Sequence, residues 1–297
     1  MKKFRNLLML LRPHQWLKNL FIFLPLFFHG SLGDTACLQT CLLAFLAFCL
    51  TASSIYCFND IHDVEADRQH PAKSKRPIAS GSVSIRQGYG LMVLLTAGGL
   101  LTAWFGIGGE RGTHAFALLA FYWLLNIAYC IQLKYWALID VFVIASGFVI
   151  RILIGGAVTG IPLSHWIILM TFLLALFLAF AKRRDDVVIY NQSGGTHIRK
   201  NVNRYNLDFM NQTITILGSI TIVCYLMYTV SEDVTARIGT NKLYLTVVFV
   251  LAGILRYMQL TIVDVKSGSP TKVLMHDRFI QGCIILYVLA FFLILYV

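Results

Sequence analysis

The sequence predicts an all-α polytopic membrane protein, and composition, apolar runs and charge placement each point that way. The 297 residues are 58% hydrophobic and 13% charged, with mean hydropathy +0.71. A soluble domain usually carries about 25% charged residues. A bilayer core about 30 Å thick needs roughly 20 mostly apolar residues per helix. Nine runs meet that need, at 17–33, 37–58, 87–107, 114–132, 137–158, 164–181, 213–231, 242–262 and 279–297. With the N-terminus in the cytoplasm and the runs alternating, the cytoplasmic pieces hold 21 of the 25 Lys and Arg. That asymmetry is what the positive-inside rule requires. The ninth run then leaves the C-terminus outside. The net charge of +11 is a topological signal and calls for no nucleic acid.

Along the chain, MKKFRNLLMLLRPHQW (1–16) is basic and amphipathic, and no small-residue cleavage site follows it. It reads as a helix lying on the membrane surface, with Trp16 at the interface, rather than a cleaved signal. The first apolar run is short and interrupted by Pro25. The second ends in FNDIHDVEADRQHPAKSKRPIASG (58–81), where four acids fall within nine residues. The sixth ends at the same side in AKRRDDVVIYNQ (181–192). Polar clusters at equivalent places suggest two pseudo-repeated four-helix halves, 17–132 and 137–262, with a site between them. Residues 279–297 add a ninth helix, and 1–297 together make one transmembrane catalytic domain. The seven cysteines form no CxxC pair and read as small apolar fillers.

Asp60, Asp63 and Asp67 stand at i, i+3 and i+7, so on a helix they share one face, with Asn59 alongside. Three carboxylates together near a bilayer are costly unless a cation neutralises them. Hard oxygen donors without His or Cys favour Mg²⁺. Mg²⁺ held by carboxylates usually completes its shell with water and substrate phosphates. Arg68, Lys73, Lys75 and Arg76 come directly after and are placed to hold the remaining phosphate oxygens. Carboxylates, Mg²⁺ and basic side chains make a diphosphate site. In the second cluster Lys182 and Arg183 end the span itself and face inward, before Arg184, Asp185 and Asp186; Arg199, Lys200 and Arg204 come later. Asp140 and Arg151 lie inside the fifth run about three turns apart, too far for direct pairing, so each needs another partner. Tyr129 and Lys134 flank the cytoplasmic end of the fourth run and reach the same mouth. No nucleophile motif, Walker loop or Rossmann-type GxGxxG unit is present.

NDIHDVEAD (59–67), with RPHQWLKN (12–19), RPIASG (76–81) and IDVFVIASGFVIRILIGGAVTG (139–160), resembles the UbiA-type intramembrane prenyltransferase superfamily, whose first motif is NDxxDxxxD. The resemblance covers nearly the whole chain. It implies nine transmembrane helices around a central cavity open to the cytoplasm and laterally to lipid, with Mg²⁺ ionising a diphosphate substrate. Typical members carry a second acidic motif, DxxxD, after the sixth span, where this chain has KRRDD. Lys182, Arg183 and Asp186 resemble instead the decaprenyl-phosphate phosphoribosyltransferase branch, as does GSPTKVLMHDRF (268–279). Arg184 and Asp186 depart from that branch, which usually has an aromatic residue and Glu there.

The resemblance implies Mg²⁺-dependent transfer of 5-phosphoribosyl from phosphoribosyl diphosphate to a polyprenyl phosphate, releasing diphosphate. Asp60, Asp63 and Asp67 would hold the metal; Lys182, Arg183, Arg76 and Lys134 would bind phosphate; Tyr129 would orient the sugar, with Asn59 and Asp186 beside the substrate. The expected setting is the inner membrane of a bacterium, with the active site cytoplasmic. A homo-oligomer is compatible with the sequence. A prenyltransferase acting on an aromatic acceptor and a transporter with a midplane ion site stay open as alternatives.

Overall fold

The computed structural model describes residues 2–69, 73–192, 204–265 and 270–296, all helical or in the turns between helices. Among them, eight helices are long and apolar enough to cross a membrane. The all-α membrane architecture stands. The chain divides into two compact units: Met1–Trp136 with Ser146–Leu163, and Ala137–Ala145 with Ser164–Val297.

In the first unit, α1 (Lys2–Leu11) is the amphipathic N-terminal helix. Leu10 is fully buried with Cys57, Ile61 and Val64, so α1 lies along the end of α3 (Thr35–His62). Residues expected as one apolar span from 17 to 33 instead form a 3₁₀ helix, Pro13–Phe23, and a short α2, Leu24–His29. Two causes are visible. Pro25 falls at the junction, where its missing N–H matters least, in the first turn of α2. At Gly155 of α7 (Ile139–Thr159), any Cβ would collide with the Ile22 carbonyl, so the 3₁₀ segment rests directly on the α7 backbone.

Asp34 caps α3 by accepting from the Ala36 and Cys37 N–H groups. Then α3 runs past the expected end at 58 to His62, which places Asn59 and Asp60 on the helix itself. Asp63 closes it, and α4 (Val64–Gln69) carries Asp67. Next, α5 (Ile85–Leu101) starts at a capping box made by Ser84 and Gln87. It packs against α3 at Gly99, where a Cβ would strike Thr51 and the Ala47 carbonyl. A π-helical turn, Thr102–Ile107, leads to α6 (Gly109–Ile131) and a short 3₁₀ turn, Leu133–Tyr135. The apolar stretch of α3 is 61% buried, whereas that of Ile85–Ile107, α5 with the π-helical turn, is 17% buried and turns Val93 and Leu94 outward, as a lipid-facing helix should.

In the second unit, α8 (His165–Gln192) continues eleven residues beyond the expected end of its span, so KRRDD is helical rather than looped. It packs on α9 (Leu207–Val230), capped by Asn206. After the short α10 (Glu232–Ile238), α11 (Val247–Ile262) packs on α13 (Arg278–Tyr296), with α12 (Pro270–His276) between them in sequence. Phe177 of α8 meets Tyr257 of α11 at 5.6 Å between ring centroids. Arg199 and Lys200, and Gly268 and Ser269 of the last loop, lie outside the described residues.

Candidate active site

The acidic cluster of the first unit is laced with cations. Asp60 is 2% exposed, and its Oδ1 accepts from Arg12 Nη2 at 2.5 Å and from Arg76 Nη1 at 3.1 Å. The same Arg76 nitrogen donates to Asp67 Oδ2 at 2.6 Å, and Lys73 lies 4.0 Å from Asp67. Asp60 and Asp67 therefore converge on one positive centre. Asp63 points to a different one: Lys134, in the 3₁₀ turn after α6, donates to its Oδ1 at 2.6 Å, and His62 Nδ1 is 3.0 Å away. Burial pushes the Asp63 carboxyl up, but the bonds from Lys134 and His62 outweigh it and hold the pKa below the usual carboxylate value. Asn59 joins the group through its Oδ1, 3.5 Å from Cys130 Sγ. Tyr129, one residue earlier at the end of α6, packs on the apolar cluster around Phe48 and Tyr122.

Among the described residues, no three His, Cys, Asp or Glu side chains converge closely enough to cage a metal by themselves. The donor chemistry nonetheless suits Mg²⁺. Two carboxylates already share a cation, and their oxygens are hard donors. An open site of this kind would draw its remaining ligands from substrate phosphate.

The second unit holds the other cluster. Arg183 is 1% exposed, with Nε donating to Asp140 Oδ2 at 2.7 Å and Nη1 to Asp186 Oδ2 at 2.8 Å. Asp140 is fully buried, and the Tyr205 hydroxyl lies 3.5 Å from its other oxygen. That hydroxyl accepts from the Leu138 N–H at 2.6 Å, and burial raises its pKa. Lys182 is half-buried beside Arg183 on α8, and Asp186 is 26% exposed. Arg184 has a different task. Its guanidinium donates to Asn211 Oδ1 at 2.7 Å and to the Thr261 and Ile262 carbonyls, closing the C-terminal end of α11.

Asp140 and Arg151 each have the separate partner their spacing demands. Arg151 donates to Asn19 Oδ1 at 2.9 Å, to the Gly147 carbonyl at 2.6 Å and to the Tyr122 hydroxyl at 3.3 Å. Its guanidinium also lies 4.4 Å from the Phe48 ring centroid. In the last loop, Asp277 caps α13 through the Ile280 N–H and pairs with Arg256 of α11 at 2.8 Å. Sequence reasoning missed Arg12 as a neighbour of Asp60. Its signal was the Arg-Pro pair at the break between an amphipathic helix and an apolar run, which fixes where the chain turns.

Residues 19–194 match the UbiA prenyltransferase family. The chain is 34% identical over 291 residues to a decaprenyl-phosphate phosphoribosyltransferase of Mycolicibacterium smegmatis, covering 93% of this chain and 88% of that protein. It is 29% identical to a protein of the same name from Corynebacterium glutamicum, covering 97% of this chain and 86% of the relative. Among solved structures, a UbiA homolog from Archaeoglobus fulgidus bound to GPP and Mg²⁺ superposes with a TM-score of 0.71, covering 98% of this chain and all of that one, at 20% identity. Acidic motif, helical frame and family match agree: the chain belongs to the UbiA prenyltransferase family.

Proposed function

We propose that this membrane transferase moves 5-phosphoribosyl from phosphoribosyl diphosphate to a polyprenyl phosphate of the decaprenyl type, releasing diphosphate. The observation that carries the reading is the make-up of the two clusters. One has carboxylates that converge on a shared cation, and the other has Lys182 and Arg183 where a second acidic motif would serve a prenyl diphosphate. The full-length likeness to relatives named for this reaction supports it.

Asp60, Asp63 and Asp67 would hold Mg²⁺ on the diphosphate, with Asn59 alongside. The bound metal would stabilise charge on the leaving diphosphate as the anomeric C–O bond opens. Arg76 and Lys134, which neutralise those acids here, are placed to turn to phosphate oxygens. Lys182 would bind phosphate. Arg183 beside it would be the second phosphate contact, and is paired here with Asp140 and Asp186. Asp186, partly open, would meet a sugar hydroxyl, and Tyr129 would orient the ribose. The lipid phosphate is already ionised near neutral pH, so it needs positioning beside the anomeric carbon rather than a strong base.

The finer topology belongs to the same reading. An eleven-residue 3₁₀ helix rises about 22 Å and six α-helical residues about 9 Å, together about the hydrocarbon thickness. Pro13–His29 would then be the ninth crossing, with the N-terminus and site cytoplasmic.

Parallel assays with purified protein and Mg²⁺ test the donor. Ribose label passing from phosphoribosyl diphosphate into the organic phase, only with polyprenyl phosphate present, is the expected result. Turnover of prenyl diphosphate with an aromatic acceptor, and none of the ribose donor, would overturn it.

A further inference from the structure

Arg12 sits between α1 and the 3₁₀ helix with φ 50° and ψ 59°, a left-handed conformation that side-chain-bearing residues rarely adopt. Such strain persists only where the surroundings impose it. Leu10 is locked into the apolar cluster at the end of α3. On the other side, Ser53 Oγ donates to the Leu11 carbonyl at 2.9 Å, and Trp16 Nε1 donates to Ser53 Oγ at 3.1 Å. Held from both sides, the Arg12 guanidinium lies 5.0 Å from the Tyr56 ring centroid and donates to Asp60 Oδ1. That oxygen also accepts from Arg76.

Charge balance gives this contact a meaning. Asp60, Asp63 and Asp67 are each met by at least one cation, Arg12, Arg76 and Lys134 with Lys73 near Asp67, so the carboxylate charge is compensated before any substrate arrives. When the carboxylates turn to a divalent cation, each basic group loses its partner beside an incoming polyanion. Arg12 has the chemistry to take up that polyanion. Its planar fork matches phosphate oxygens, its side chain is 20% exposed, and the Tyr56 face supports it through a change of partner.

We propose that Arg12 is a phosphate-binding residue of the donor site, parked on Asp60 and passed to the donor's diphosphate when Asp60 turns to the metal. The proposal rests on the reading of Asp60 as a metal ligand. It gives the N-terminal segment a part in donor binding beyond anchoring α1.

The test uses the full chain in detergent, with Mn²⁺ as a paramagnetic stand-in for Mg²⁺ and inorganic diphosphate as the probe. Arg12→Gln removes the competitor for Asp60, so Mn²⁺ alone should bind about tenfold more tightly, while Mn²⁺-diphosphate should bind about tenfold more weakly. Arg12→Lys should fall between Gln and wild type. Ser53→Ala loosens the segment without touching charge and should change both affinities by less than about twofold. In turnover, Arg12→Gln should raise KM for the ribosyl donor and leave KM for the lipid acceptor unchanged. Both affinities moving together in Arg12→Gln, Ser53→Ala reproducing its effect, or a rise in acceptor KM would overturn the proposal. If wild-type protein bound no Mn²⁺, the metal assignment would fall and this proposal with it. Normal Mn²⁺ binding with Arg12→Gln unmoved would sink the proposal alone.

Discussion

At Asp63 the carboxylate stays ionised because Lys134 and His62 outweigh the cost of its burial. Asp63→Asn keeps the shape and one acceptor while removing the charge. It should fold normally and lose Mg²⁺-dependent turnover by a factor of about 100 or more, the scale on which a transition-state charge contact acts. Turnover near wild type would remove Asp63 from the metal set. Asp140 makes the opposite prediction. Its pair with Arg183 is buried on both sides, so Asp140→Ala should destabilise by about 3–5 kcal/mol in denaturant-monitored unfolding. Joint replacement of Asp140 and Arg183 by Leu and Met should recover most of that loss. If the double variant were as unstable as the single one, a cause other than the loss of Arg183's buried partner would be at work. The carboxylate spacing and the need for separate partners at Asp140 and Arg151 were legible in the residues. Which cation meets which acid was not, because Arg12, Arg76 and Lys134 reach the cluster from three separate segments.

Among the elements, the broken first segment departs furthest from its apolar pattern. Hydropathy marks a lipid-compatible run but is blind to backbone contact. Here the Ile22 carbonyl lies where a Gly155 Cβ would be, and Asn19 meets Arg151. Gly155→Val should push the 3₁₀ helix off α7 and cost about 1–3 kcal/mol, read as a lower thermal midpoint in detergent. An unchanged midpoint would show that the segment moves freely there. The ends of α3 and α8 were misplaced for a related reason. Charged residues end an apolar count without ending a helix, so Asn59–Asp60 and KRRDD sit on helical turns that the hydropathy edge cut away. Arg184 shows the benefit of that correction: on the helix it closes α11 through two carbonyls, which gives a basic residue at this position a structural task.

For the whole molecule, membrane residence and helical class came directly from composition, since few charges and long apolar runs leave a chain no other way to satisfy its backbone. The donor did not come from composition. It depends on one cluster being acidic and the other basic, and on which bond that pairing is built to break. In the proposed reaction the ribosyl carbon moves and diphosphate leaves. A donor carrying tritium in the ribose and ³²P in its diphosphate, incubated with polyprenyl phosphate, Mg²⁺ and purified protein, tests it most directly. Tritium is expected in the lipid phase and ³²P in the aqueous phase as diphosphate, in equal amounts and only with Mg²⁺. Appearance of ³²P in the lipid, or no movement of tritium with active protein, would contradict it.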